Sequence, residues 1–237
     1  MSWLSACINT NLPDEFEDYL LSRGVGRSLI EEHSFGWWDQ KTAPTDPLVL
    51  GRYSRILREF IGRLLVPMFS PQGKMIGAEA RIISGDGVKS LRLLTTPALW
   101  NPIFVGLTPT AMDRIWGGCD VWLVEGVFDA TTLQSIVGDA VVLGTMRAAV
   151  TRKHLDFLKR FVTGDVYVAY DNDKTGQDSM HGYVDENNRK RLGVVEKING
   201  LGLRCVPVYY RGGKDPNEIW ERGGSPALQK AFSRYLI

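Results

Sequence analysis

Two short segments each end a hydrophobic run in acid, and they constrain this chain more than any other feature. The first is Val121-Trp122-Leu123-Val124-Glu125-Gly126-Val127-Phe128-Asp129. The second is Val166-Tyr167-Val168-Ala169-Tyr170-Asp171-Asn172-Asp173. Continuous apolar runs of this length, rich in β-branched and aromatic residues, fit strands buried on both faces of a parallel sheet. In such sheets ligands bind outside the carboxyl ends of the strands. Both runs therefore aim carboxylates at one edge. Clustered carboxylates push one another's pKa upward unless a cation sits among them. A divalent metal, with phosphate as its usual companion, is the simplest account.

The rest of the composition neither supports nor opposes that account. A net charge of +1 calls for no nucleic-acid partner, yet an acidic site could offset a basic groove elsewhere. Cys7, Cys119 and Cys205 are isolated and have no metal-ligand spacing. They suit a reducing, cytoplasmic location and argue against zinc in this chain. No apolar run is long enough to span a bilayer, and no basic-then-apolar leader opens the sequence.

Pattern divides the chain in two. Residues 13–32 read as two short helices around Ser22-Arg23-Gly24-Val25. Lys41 to Pro47 reads as a loop. Arg63 to Phe69 and Met75 to Ile83 are apolar runs joined by Ser70-Pro71-Gln72-Gly73-Lys74, a hairpin signal. Thr95 to Pro102 is irregular. This half looks α+β and antiparallel. A boundary is expected near Ile115 to Cys119, and strand–helix alternation follows it. Strands are expected at 121–124, 140–143, 166–170 and 203–209. Helices are expected at 129–137 and 151–161, with a long one from Gln177 to about Asn199, broken at Gly182 or Gly193. Such alternation implies right-handed crossovers and a mainly parallel sheet. The fold class is therefore α/β: an α+β part over 1–116, an acid-bearing α/β part over 117–212, and a short helical segment over 213–237.

Asp171 and Asp173 are two residues apart at a strand end, so in extended backbone both face one side. With Glu125 they make an oxygen-only donor set, which suits Mg²⁺ or Mn²⁺ better than zinc. Lys174 and Gly176 follow at a helix start, where a charge and free N–H groups suit phosphate. Each acid alone could equally be a helix cap or turn former. The same holds for Asp215-Pro216-Asn217-Glu218, which has the pattern of a capping box.

Glu125-Gly126, Asp129, Leu143-Gly144-Thr145 and Asp171-x-Asp173-x-x-Gly176, in that order, resemble the TOPRIM module of bacterial-type primases, topoisomerases, RecR-type proteins and some nucleases. The resemblance implies that Glu125, Asp171 and Asp173 are catalytic and hold Mg²⁺, with Asp129 and Asp215 contributing to the metal site. Upstream, Arg23-Gly24, His33 to Gly36, Arg63 to Pro67, Gly73 to Arg81, Lys89 and Phe104 to Leu107 resemble the N-terminal part of a bacterial-type DNA primase core. This implies that 1–116 is a primase-like subdomain and 117–212 a TOPRIM domain. Arg63, Arg81, Lys89, Arg92 and Lys174 become candidates for binding nucleic acid or nucleotide. Solvated hairpin charge is the alternative for the basic residues of the N-terminal half.

The implied activity is synthesis of short RNA primers by Mg²⁺-dependent nucleotidyl transfer. The implied partners are a single-stranded DNA template, ribonucleoside triphosphates and a separate replicative helicase, with no membrane. The family's zinc module, its C-terminal helical bundle and a phosphate-loop motor are not seen in the sequence. A minimal core of phage or mobile-element type, in the host cytoplasm, is expected. Asn217 stands where many primases have a second acid, which puts a full second metal position in question. The rivals are a TOPRIM nuclease and a non-catalytic DNA-binding replication accessory protein. A topoisomerase has no room here for its tyrosine domain.

Overall fold

The computed structural model describes residues 3–38, 58–86, 88–94, 104–147 and 149–236. The loop expected at 41–47 and the irregular stretch at 95–102, with Trp100, lie outside the described residues.

The first part opens with α1 (Trp3–Cys7), α2 (Asp14–Ser22) and α3 (Arg27–Glu32). A four-stranded antiparallel sheet follows, in spatial order β1 (Gly36–Trp37), β2 (Leu64–Phe69), β3 (Met75–Arg81) and β4 (Ser90–Leu94). The β2–β3 hairpin forms where its turn residues indicated. Ser70 donates its N–H to the Lys74 carbonyl, and its hydroxyl accepts from the N–H groups of Gln72 and Lys74. One face of this sheet packs Leu4, Trp38, Phe60 and Leu65. The other packs Phe16, Leu20, Val66 and Met68 together with Val127 and Phe128 from the next part of the chain.

That next part begins with α4 (Pro109–Trp116), capped by Thr108, whose hydroxyl accepts from the Ala111 N–H. Then come β5 (Val121–Val124), α5 (Val127–Gln134), β6 (Val141–Gly144), α6 (Arg152–Phe161) and β7 (Val166–Val168). After them run α7 (Lys174–His181), β8 (Gly182–Val184), β9 (Lys190–Leu192), α8 (Val194–Asn199), β10 (Cys205–Pro207) and α9 (Pro216–Phe232). The second sheet is parallel throughout, in the order β10-β7-β5-β6. Every residue of β5, β6 and β7 is buried, as uninterrupted apolar runs require when helices cover both faces. One face carries Leu123, Leu143 and Val168 against α4, α6 and α8. The other carries Trp122, Val124 and Tyr167 against α5 and α9.

The helix expected over 177–199 is interrupted between the two glycines named for a break, and what fills the gap is a hairpin that was not expected. Gly182 takes φ of 87°, ends α7 and starts the β8–β9 hairpin, and helix resumes only at Val194. The helical spacing of apolar residues could not reveal the insertion, because hairpin residues Tyr183, Val184 and Leu192 are apolar but exposed. The fourth strand is also shorter than its apolar run and spans three residues. Helix α9 is kinked where Gly224 adopts φ of 62° just before Pro226.

Candidate functional site

The ends of β5 and β7 are neighbours because these strands pair directly, Trp122 with Tyr167 and Leu123 with Val168. Glu125 and Asp171 therefore emerge side by side, and the Asp171 N–H donates to Glu125 Oε1 at 3.2 Å. Asp173 is the N-cap of α7 and accepts from the Gly176 N–H at 2.9 Å. Asp215 caps α9 in the same way, accepting from the Glu218 N–H at 2.7 Å. So the capping role of these two acids is real, and both also face the cluster. The N–H of Gly176 is taken by Asp173 rather than left open for phosphate.

Two glycines of the acidic motifs answer to close approach. A Cβ on Gly176 would lie 2.2 Å from the Asp171 carbonyl oxygen. One on Gly144 would lie 2.7 Å from the Gly126 carbonyl oxygen. Beside it the Thr145 hydroxyl lies 3.1 Å from the Val124 carbonyl and 3.3 Å from the Tyr170 hydroxyl. Spacing that looks like a signature is thus also a packing requirement: the acid-bearing turns sit too close for side chains at these points.

Electrostatics follow from crowding. Burial, then the neighbouring Asp171, pushes Glu125 up to about 7. Burial, then Asp215 and Asp171, pushes Asp129 up to about 8. Asp171 is raised chiefly by burial. Asp173 moves the other way, held down by the Gly176 N–H and then Lys214. A set of acids that resist ionisation together is what a bound cation relieves.

Lys214, which the motif reading passed over, sits inside this cluster. Its ammonium lies 3.1 Å from Asp171 Oδ2 and 3.1 Å from Asp173 Oδ2. Those contacts raise its own pKa. The two carboxylates thus converge on one cationic atom, and that atom is a stand-in for a cation. As the side chains stand, no group of three or more His, Cys, Asp or Glu among the described residues is close enough to hold a metal ion. The oxygen-only chemistry of the donors and their convergence on Lys214 fit a hard divalent cation.

Tyr210 was also missed, and the structural role of Asn217 was not foreseen. The Tyr210 hydroxyl donates to the carbonyls of Tyr170 and Lys214, both at 3.0 Å. It ties together the backbones that precede Asp171 and Asp215. Asn217 is buried and serves structure. Its Nδ2 donates to the Arg23 carbonyl at 3.2 Å and to the Thr132 hydroxyl at 3.0 Å. Its Oδ1 accepts from the Arg23 guanidinium, and its N–H points at Asp129 Oδ1 at 3.4 Å. The residue at the questioned metal position joins the first part of the chain to the second. Arg23 and Asn217 stand 194 residues apart, so no local pattern signals this contact.

The basic residues divide. Strand register brings Arg63, Arg81 and Lys89 to one end of the antiparallel sheet, since Leu64 pairs Arg81 and Arg81 pairs Ser90. Arg63 donates to the Val88 carbonyl at 2.7 Å. Arg81 and Arg92 both lean on the buried Glu79, at 3.0 and 3.4 Å, while the Nε of each has no hydrogen-bond partner among the described residues. Arg81 also lies over the Phe128 ring at 4.7 Å, three residues beyond Glu125, so this end faces the acidic strand ends. Lys174 starts α7 and lines a shallow depression with Asp178 and Tyr183, away from this group. Trp122 and Tyr170 are core residues.

Residues 122–220 match the Toprim-like family. The DNA primase of Aquifex aeolicus is 25% identical over 240 residues, covering 92% of this chain and 45% of the relative. That of Deinococcus radiodurans is 23% identical over 244 residues, covering 94% and 40%. The chain thus spans less than half the length of these relatives. Among solved structures, a DNA primase domain from Pseudomonas aeruginosa superposes with a TM-score of 0.68 at 19% identity, over 97% of this chain and 74% of that one. A primase catalytic domain solved with single-stranded DNA superposes with a TM-score of 0.63 at 19% identity, over 94% and 73%.

Proposed function

We propose, for a chain that is related to the bacterial-type DNA primases and carries a TOPRIM-like domain in their catalytic-core fold, that it makes short RNA primers on single-stranded DNA by nucleotidyl transfer. The observation that carries the reading is the convergence of Asp171 and Asp173 on one cationic atom at paired strand ends, beside Glu125. Residues 117–212 act as the TOPRIM domain and 1–116 as the template-facing part.

In this reading Glu125, Asp171 and Asp173 would hold Mg²⁺ or Mn²⁺, with Asp129 and Asp215 holding charge and position around them. Bound there, the metal would supply neutralisation of phosphate charge for attack of a 3′-hydroxyl on an α-phosphate, with pyrophosphate leaving. Lys214, whose ammonium meets both aspartates, would be the cation that such a metal replaces and would then be available to the triphosphate. Arg63, Arg81, Lys89 and Arg92 follow template phosphates, with Glu79 orienting Arg81 and Arg92. A primase catalytic domain solved with single-stranded DNA supports such a template. Ribonucleoside triphosphates as substrates and a separate helicase as partner belong to the proposal as well. Among the described residues no helix is long and apolar enough to cross a membrane.

The test is incubation with single-stranded DNA, ribonucleotides and Mg²⁺ or Mn²⁺. Short RNA is expected, with yield falling about 100-fold or more for Glu125→Gln and Asp171→Asn, the scale of losing one group that stabilises transition-state charge. Cleavage of nucleic acid with no polymer formed, even with a replicative helicase added, would overturn the proposal.

A further inference from the structure

The edge of the parallel sheet carries a second cationic feature that the acidic site does not use. A cleft of about 630 Å³ lies between Tyr209 to Gly212 and helix α9. That volume is within the range of about 300–1,000 Å³ usual for ligand sites. Its floor is apolar, made by Tyr210, Ile219 and the alanines of α9, and its rim carries Arg211, Arg222, Lys230 and Arg234. No acid lines it. Arg222 is partly committed, to the Gly212 carbonyl and to Glu218. Among the described residues Arg211, Lys230 and Arg234 have no ion-pair partner.

Tyr209 stands at the mouth, 55% exposed. Its ring stacks on His181 with centroids 5.6 Å apart and planes 11° apart, and its hydroxyl lies 3.0 Å from His181 Nε2. An exposed, braced aromatic beside unpaired cations is the combination that binds single strands: bases on the ring, phosphates on the rim. The cleft also communicates with the acids. Tyr210 forms its wall and bonds the backbones before Asp171 and Asp215. Helix α7 runs from Asp173 at its cap to His181 at its far end. Eight residues of helix are about 12 Å, a distance that a few nucleotides of single strand can span.

We propose that this cleft is a second contact for single-stranded nucleic acid, holding the strand a few nucleotides from the acidic site through backbone phosphates on Arg211, Lys230 and Arg234 and a base on Tyr209. The assignment rests on the nucleic-acid reading of the acidic site. Template DNA and RNA product share this chemistry, and both are probed.

The experiment measures fluorescence anisotropy of a labelled DNA single strand and of its RNA counterpart, without metal or nucleotides, across a salt series. It compares the wild-type chain with the Arg211→Ala/Lys230→Ala/Arg234→Ala variant, all exposed positions that leave the core intact. Loss of three phosphate contacts should reduce the log–log salt slope by about 2 and weaken binding roughly tenfold or more at low salt. A greater loss with RNA than with DNA marks the product path, and the reverse marks the template path. Photo-crosslinking with 5-iodouracil in the strand should map to Tyr209 or His181. Equal slopes and affinities for the two proteins, or crosslinks confined to 63–92, overturn the cleft and leave the primase reading standing. Wild-type protein that binds strands through the cleft yet makes no RNA overturns that reading and leaves the cleft. Wild-type protein that binds no strand overturns both.

Discussion

Replacing Asn217 by alanine tests whether this residue is a structural joint rather than a lost metal ligand. Its side chain makes three hydrogen bonds, one from the Arg23 guanidinium and two donated to Arg23 and Thr132. A charged hydrogen bond contributes roughly 1.5–3 kcal/mol and a neutral one about 1 kcal/mol. Part of the loss is offset. The Arg23 carbonyl keeps the Thr132 hydroxyl at 2.7 Å, and the guanidinium keeps Glu221 at 3.0 Å and the rings of Tyr19 and Phe128. A net cost of roughly 2–4 kcal/mol remains. At about 2–4 °C per kcal/mol for a chain of this size, Tm should fall by roughly 5–15 °C. The assay is thermal unfolding by circular dichroism in metal-free buffer. Glu221→Ala is the control, since it removes only an exposed ion pair of about 0.2–1 kcal/mol. An Asn217→Ala shift no larger than that of Glu221→Ala would refute the joint.

Three further outcomes are expected. His33 is buried, and burial followed by the Arg114 charge lowers its pKa from 6.5 to about 4. A lowered histidine gives stability that is complete above about pH 6.5 and lost as pH falls toward 4, about 3 kcal/mol in all; urea titrations of wild type and His33→Phe that run parallel from pH 7 to 4 would exclude this. Glu125 and Asp129 are raised to about 7 and about 8, so the metal-free protein loses stability as pH rises from the ordinary carboxylate range through those values. Added Mg²⁺ should then raise Tm more at about pH 9 than at about pH 6, and an equal rise at both would contradict the shared role of these acids. Gly176→Ala forces the Asp171 carbonyl to move, since a Cβ there would stand 2.2 Å from it. Weaker Mn²⁺ binding by calorimetry together with a lower Tm is expected, and a variant indistinguishable from wild type would show that the turn has slack.

The sheet and its acids were legible in the sequence because burial on both faces leaves an uninterrupted apolar run, and the acid follows where the run stops. The hairpin at Ser70 to Lys74 was legible because turn chemistry is local. The β8–β9 hairpin was not, since its apolar residues face solvent and mimic a helical stripe. Lys214, Tyr210 and the structural role of Asn217 were missed for a different reason: each acts through partners distant in sequence, Asn217 and Arg23 being 194 residues apart. Arg81 and Arg92 were visible as charges, but not the buried Glu79 between them, because strand register places it there.

The central claim is that the acidic strand ends build RNA on a DNA strand. The most direct measurement supplies a nucleoside triphosphate labelled at its γ-phosphate together with unlabelled single-stranded DNA, ribonucleotides and Mg²⁺. The label survives only at the 5′ end of a chain started without a primer. A ladder of short labelled RNA that disappears with Glu125→Gln is the expected result. Absence of any labelled chain, with the DNA strand cut instead, would contradict the account.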